Sequence, residues 1–237
     1  NGRFDVTSGE PRRLPACLAL RTHRVKEEGG RIWLDVSHAG GAEATAGTFR
    51  VVSNRNVATF IKELVLVPAD GHAVPAFAAG QYMQLHVPAY GEVRFSEFAV
   101  DEPYASVWRA HHLFDLTARN ALDVKRNYSI ATRPGTGELR FNVRIATPPT
   151  GQACDAGAGS AWVWRLAPGD VVQASGPFGG FLVRDSARDL VYVGGGAGMA
   201  PIRSQIDYLH EDVRTGRRVT YWYGARSRQE VFYEDHF

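Results

Sequence analysis

The run Arg126-Asn127-Tyr128-Ser129 puts a guanidinium, an aromatic ring and a hydroxyl on one short segment. A guanidinium can grip a diphosphate through two parallel bonds, a tyrosine ring can stack on an isoalloxazine, and a serine hydroxyl can bond near the flavin N5. Later in the chain, Gly194-Gly195-Gly196-Ala197-Gly198-Met199-Ala200-Pro201 follows directly on the apolar run Leu190-Val191-Tyr192-Val193. Small residues there let backbone N–H groups approach phosphate oxygens, and a helix starting at that point adds its partial positive end. The two runs together read as flavin chemistry followed by nicotinamide chemistry.

The elements that must hold these residues are written in the hydrophobic pattern. Pro201 suits a first helical turn, and Ile202, Ile206, Leu209 and Val213 form an apolar stripe beyond it. Val219-Thr220-Tyr221-Trp222-Tyr223 then reads as the next strand, which completes a strand-turn-helix-strand unit. The glycine turn is not a clean G-x-G-x-x-G, so a tight turn without a ligand is the plain alternative. Upstream, residues 59–67, 81–87, 139–145 and 170–175 are short apolar or alternating segments, and Leu139, Phe141, Val143 and Ile145 make one parity wholly apolar. Such a succession predicts a small antiparallel barrel. On a strand Arg126 and Tyr128 share a face, with Ser129 on the other unless the strand ends or twists there. Taken alone, this four-residue run reads better as an edge strand with a solvated arginine and a half-buried tyrosine, a preference that the glycine turn reverses. Residues 160–166 read as a short helix with Ser160 as its cap. Residues 91–124 are too long for a simple connection and carry Phe95, Phe98, Tyr104, Trp108 and Phe114, so they form either a folded excursion or an interaction surface. Adjacent His111 and His112 would point opposite ways on a strand, which argues against a metal site.

Bulk properties narrow the field without deciding it. With 27 basic and 25 acidic residues the net charge is +2, which gives no reason to invoke nucleic acid. No apolar run approaches the roughly 20 residues needed to span a bilayer. Two cysteines cannot build a disulfide framework and suit a reducing compartment; Cys154 reads as a free surface thiol. Residues 14–20 and 31–36 read as strands around a Glu27-Glu28-Gly29-Gly30 turn, and residues 39–47 as a linker. The chain opens on Asn1 and stops at Phe237 after two strands of the nucleotide fold, so a fragment is expected.

Arg126-Asn127-Tyr128-Ser129, Gly176-Pro177-Phe178-Gly179 and the Gly194 turn occur in an order that resembles the ferredoxin-NADP reductase superfamily. Residues 142–149, 195–204 and 221–227, with lead-ins at 49–54 and 58–64, look like one branch of it: the F subunits of sodium-translocating NADH:quinone oxidoreductases. The resemblance implies mixed β and α/β architecture, with an antiparallel flavin-binding β-barrel at 47–184 followed by the first part of a Rossmann-like NADH-binding domain at 185–237. Residues 1–46 would be the remnant of a [2Fe–2S] ferredoxin-like domain plus linker. FAD would be held by Arg126, Tyr128 and Ser129, with Gly159 and Ser160 on its diphosphate, and Tyr128 and Ser129 would be the catalytic pair at the flavin ring. NADH would lie against Gly176, Pro177, Phe178 and Gly179, in a cradle of Gly195, Gly196, Ala197, Gly198, Met199, Ala200 and Pro201, with Ala225, Arg226 and Ser227 near the adenosine ribose. By charge alone Arg226 and Arg228 suit a 2′-phosphate, and no acid directly follows Tyr223, but the branch implies NADH. Cys17 looks like the fourth ligand of a [2Fe–2S] centre whose other three thiolates are not in this sequence.

The implied activity is hydride transfer from NADH to FAD, then one-electron delivery to the iron-sulfur centre. It would feed ubiquinone reduction coupled to sodium translocation, among the other subunits of a complex at the cytoplasmic face of a bacterial inner membrane. A later Cys-Gly-Pro-Pro-type motif of the family lies beyond Phe237, so flavin binding is expected to outlast efficient hydride transfer. Other readings are the reductase component of a multicomponent oxygenase, a flavin- or nucleotide-binding module without turnover, and a structural domain.

Overall fold

The computed structural model describes residues 3–5, 11–13, 25–34, 45–149, 151–152 and 154–237. They fall into two compact units, Asn1–Ala42 and Glu43–Phe237. The first holds two antiparallel pairs, β1 (Arg3–Phe4) with β2 (Pro11–Arg13) and β3 (Val25–Glu28) with β4 (Arg31–Leu34). Gly29 and Gly30, both at positive φ, turn β3 into β4; Glu27 and Glu28, expected in the turn, belong instead to β3. Cys17, the strand expected at 14–20 and most of the expected linker lie outside the described residues. Thr45, Ala46 and Gly47 are not linker, because they already pair with Gly176, Ser175 and Ala174 in a strand.

The second unit is built on six antiparallel strands. In chain order they are β5 (Thr45–Ala58), β6 (Ile61–Pro68), β7 (Tyr82–Val87), then, after an excursion that contains β8 (Tyr90–Arg94) and β9 (Thr117–Asn120), β10 (Val124–Ser129), β11 (Leu139–Arg144) and β12 (Val171–Phe178). Their order is β10-β7-β12-β5-β6-β11. The sheet closes where Ile130 bridges Phe141 and the Ala131 N–H donates to the Arg140 carbonyl at 2.7 Å. Alternation decides which side chains fill it. Met83, Leu85 and Val87 point inward from β7, and Leu139, Phe141 and Val143 from β11, all essentially buried. Four of the barrel strands are those expected, shifted by one to three residues at their ends; the long β5 emerges from what read as linker and lead-in.

The excursion is folded. β8 and β9 pair as a ribbon, α1 (Tyr104–Ala110) follows a short 3-10 turn, and Phe95, Phe98 and Trp108 point into the barrel core. The interaction-surface alternative therefore does not describe these aromatics. Trp108 is fully buried, stacks on Trp164 with ring centroids 5.0 Å apart, and donates its indole N–H to the Thr59 carbonyl at 2.7 Å. Trp164 lies on α2 (Ala158–Arg165), which caps the core with Ala161, Trp162 and Val163 also buried.

The remainder is the strand-turn-helix-strand unit. β13 (Leu190–Gly195) and β14 (Val219–Gly224) run parallel, joined through a 3-10 turn at Gly196–Gly198 and α3 (Met199–Asp207). Ile202, Ile206 and Leu209 are buried as the stripe predicts. Val213 is not, at 49% exposed, because the helix loosens into a π turn at Tyr208–Asp212 and no longer holds the 3.6-residue period. Among the described residues no helix is long and apolar enough to cross a membrane.

Candidate functional site

Three groups of residues define the site. The first lies where β10 meets the start of α2. Arg126 and Tyr128 pair across the ladder with the buried Leu85 and Met83, so both face the barrel edge that α2 covers. Gly159, in the first turn of α2, lies so close that a Cβ there would sit 2.6 Å from the Arg126 Cγ. Only glycine allows the arginine stem to lie across the helix start. Gly157 is the N-cap and no side chain caps the helix, so its first amides are left to an incoming acceptor. Among the described residues the exposed Arg126 guanidinium bonds only the neighbouring Lys125 carbonyl, at 2.9 Å. A cation, uncapped amides and a glycine gap thus converge on one spot, a donor set that fits a diphosphate. Tyr128 is half-buried beside them, and burial pushes its phenol up to about 12, so the ring stays neutral.

Two sequence expectations change here. The helix begins at Ala158, two residues earlier than expected, and Ser160 is not its cap. The Ser160 hydroxyl is buried, accepting the Ala146 N–H and donating to the Gly157 carbonyl, each at 3.0 Å. It braces the entry to α2 from within, which leaves only its backbone amide for a ligand. Tyr90, which the sequence did not single out, supports the same turn: its hydroxyl donates to the Ala158 carbonyl at 2.6 Å while the Arg165 guanidinium lies 5.5 Å over its ring.

Ser129 belongs to a second group. It pairs with Tyr82, which also pairs with Phe178, and the Tyr82 and Phe178 rings are 5.7 Å apart. Ser129, the last residue of β10, is therefore a neighbour of Tyr82 and Phe178, while Gly176 packs on Met83, the ladder partner of Tyr128. Gly179 packs directly on the Tyr82 ring.

The third group is a cleft of about 590 Å³ between the barrel and the ends of β13 and β14. Gly195, Gly196 and Ala197 form one wall, and Ala225, Arg226 and Ser227 another. A Cβ on Gly195 would lie 2.7 Å from the Gly224 carbonyl, so the turn can pass this close to β14 only as glycine. The rest of the expected cradle stands back. Gly198 and Pro201 are not in the cleft wall, and Met199 and Ala200 are buried, Met199 against Ala58 and Ile61. Gly176 to Gly179 do not line it either.

Several lining residues were not anticipated. Thr59 and Phe60 come from the turn between β5 and β6, Ile61 from the start of β6, Val107 and His111 from the excursion, and Arg144 from the end of β11, its guanidinium 5.4 Å over the Phe60 ring. Arg144 has the outward parity of the strand whose other parity is wholly apolar, a signal that was available in the sequence. Glu230 also lines the cleft and accepts the Thr59 N–H at 3.2 Å; it supplies a carboxylate seven positions beyond Tyr223. The Gln229 Nε2 in the same wall is buried without a hydrogen-bond partner among the described residues. His112 contacts Asp115 at 3.3 Å, and among the described residues no three His, Cys, Asp or Glu side chains gather as metal ligands. Cys154 is free and exposed.

No family model matches the chain. It is 44% identical over 189 residues to the F subunit of the Na(+)-translocating NADH-quinone reductase of Colwellia maris, covering 79% of this chain and 62% of that protein. The corresponding protein of Alteromonas macleodii is 39% identical over 246 residues, covering 99% of this chain and 80% of the relative. The chain thus spans about three fifths of the Colwellia relative's length. Among solved structures, the FAD/NAD-binding domain of a nitric oxide dioxygenase from Vibrio cholerae matches with a TM-score of 0.61 at 24% identity, over 81% of this chain and 68% of that one. Phthalate dioxygenase reductase matches with a TM-score of 0.56 at 18% identity, over 81% and 47%. At these identities the structures speak for the fold alone, which is mixed β and α/β.

Proposed function

The chain belongs to the family formed by the F subunits of Na(+)-translocating NADH-quinone reductases, and from that premise we propose that it is the flavin-binding barrel and the opening part of the NADH-binding domain of an NADH dehydrogenase. The barrel would run from 47 to 184 and the nucleotide part from 185 to 237, with residues 1–46 belonging to a ferredoxin-like domain in which Cys17 would be one ligand of a [2Fe–2S] centre. The observation that carries this reading is the Arg126 stem lying against Gly159 at the uncapped start of α2.

Arg126 and the Gly159 and Ser160 amides would neutralise the FAD diphosphate, Tyr128 would cover one face of the ring, and Ser129 would hold a hydrogen bond at its N5 edge. When bound, FAD supplies the change of currency, taking two electrons as hydride and releasing them singly. Gly195, Gly196 and Ala197 would receive the NADH pyrophosphate, with Arg144 and His111 supplying charge and hydrogen bonds across the cleft. Ala225, Arg226 and Ser227 would lie along the ribose, where Glu230 offers an acceptor for a 2′-hydroxyl and opposes a 2′-phosphate. The Gly176 to Gly179 run beside Tyr82 and Ser129 would shield the nicotinamide edge from water. The acceptors would be the iron-sulfur centre and then ubiquinone, among the other subunits of the sodium-translocating complex, at the cytoplasmic face of the membrane.

Purified chain mixed with excess FAD and desalted should stay yellow with stoichiometric flavin, and Arg126→Ala should lose the flavin while unfolding at nearly the same temperature. In the full chain, anaerobic NADH should bleach the flavin. Colourless wild-type protein overturns the assignment.

A further inference from the structure

Behind the cleft, and outside the groups assigned to either cofactor, lies a polar cluster centred on one carboxylate. Glu63, on β6, has a side chain only 15% exposed. Its Oε1 accepts Arg140 Nη1 of β11 at 3.0 Å, and its Oε2 accepts Arg203 Nη1 of α3 at 3.2 Å and the Tyr233 hydroxyl. Arg203 is 12% exposed, lies 4.3 Å over the Tyr233 ring and has its Nε 3.6 Å from Asp207, one helical turn on. The Tyr233 hydroxyl in turn accepts Asn142 Nδ2 at 2.7 Å. One carboxylate thus ties together two barrel strands, the helix that follows the glycine turn, and the segment after β14.

Its place in the ladder gives the cluster a purpose. Glu63 pairs with Asn142, and two residues along the same strands Ile61 pairs with Arg144, both in the cleft wall. Arg203 follows Met199, the first residue of α3, by four positions, so it sits one turn behind the glycine cradle. An apolar contact would hold α3 to the barrel equally well but would tolerate sliding; a carboxylate with two arginines and a phenol is satisfied in a single register. We infer that Glu63 is a positioning residue, which fixes the glycine cradle against the barrel and so sets the separation of nicotinamide and flavin. The inference rests on the cradle and barrel having the roles proposed above. Reacting atoms displaced by about 1 Å lose roughly a hundredfold in rate, so a register device of this kind acts on turnover and not on affinity.

Glu63→Gln keeps the size and an acceptor for Tyr233 but removes the charge. In the ligand-free chain, amide hydrogen exchange in α3 and residues 228–237 should speed up about tenfold or more while β6 and β11 stay protected. In the FAD-loaded full chain, kcat for flavin reduction by NADH should fall about tenfold or more with KM nearly unchanged and FAD content intact. Unchanged exchange in α3, uniformly faster exchange across the barrel, or a raised KM at constant kcat would each overturn the positioning role. Tyr233→Phe, which removes one bond and no charge, should give the same pattern at about threefold and serves if the first variant does not fold. Local loosening of α3 in a protein whose wild type is never bleached by NADH would keep Glu63 as the tie between α3 and the barrel and refute the proposed function instead.

Discussion

At the scale of single residues, the arginine-glycine contact decides more than the hydroxyl beside it. The Arg126 run was legible because its chemistry is local, a cation and a ring two positions apart on a strand. Gly159 was legible only through the family resemblance, since nothing in its neighbourhood announces that an arginine stem crosses it. Its consequence is testable: Gly159→Val should push Arg126 off the helix start and weaken FAD binding at least tenfold. The unfolding midpoint should move by only a few degrees, because the displaced neighbour is the flexible stem of an exposed side chain. Flavin titration beside thermal unfolding distinguishes this from general damage; an unchanged affinity would remove Gly159 from the site. Ser160 gives the opposite lesson. Its residue type suits a cap and a phosphate contact, yet the fold uses its hydroxyl to join Ala146 to Gly157, a link to a partner fourteen residues away that no local pattern reveals.

At the scale of elements, periodicity carried the barrel strands and the helix α3, and failed where tertiary partners override local preference. β5 was hidden because Thr45, Ala46 and Gly47 look like linker until β12 pairs with them. Lys62 is another such case. It stands in β6 at a buried position, 1% exposed, with its Nζ 3.2 Å from the Trp164 carbonyl and 5.2 Å from the Trp164 ring centre. Burial, opposed only in part by the Asp101 charge, pushes its ammonium down to about 8. The unfolded chain therefore binds the proton more tightly than the folded one, and the resulting penalty is in full force below about pH 8 and relieved as pH rises toward the ordinary lysine value. Stability should accordingly climb between pH 8 and about 10 by up to a few kcal/mol, above which the half-buried Tyr128, Tyr221 and Tyr233 phenols, all pushed up by desolvation, oppose it. Lys62→Met should abolish the climb in denaturant unfolding measured across that range. A climb that persists in the variant would mean another group is responsible.

At the scale of the whole molecule, a near-neutral chain sets three of its 27 basic residues where two anionic ligands would lie. Arg126 stands at α2, and Arg144 and Arg226 stand in the cleft with Glu230 as the opposing charge. Raising ionic strength from about 0.05 to 0.5 M should therefore raise KM for NADH severalfold and change kcat little, since screening weakens capture more than geometry. A salt-independent KM would mean that the cleft cations do not meet the pyrophosphate. The excursion between β7 and β10 contributes Val107 and His111 to this cleft while Trp108, between them in sequence, is stacked on Trp164 with an interplanar angle of 19°. Two indoles so close and nearly parallel couple their strong far-ultraviolet transitions, so the protein carries its own optical ruler: the exciton signal that Trp108→Phe removes reports, without any label, whether the excursion is seated beside the cleft.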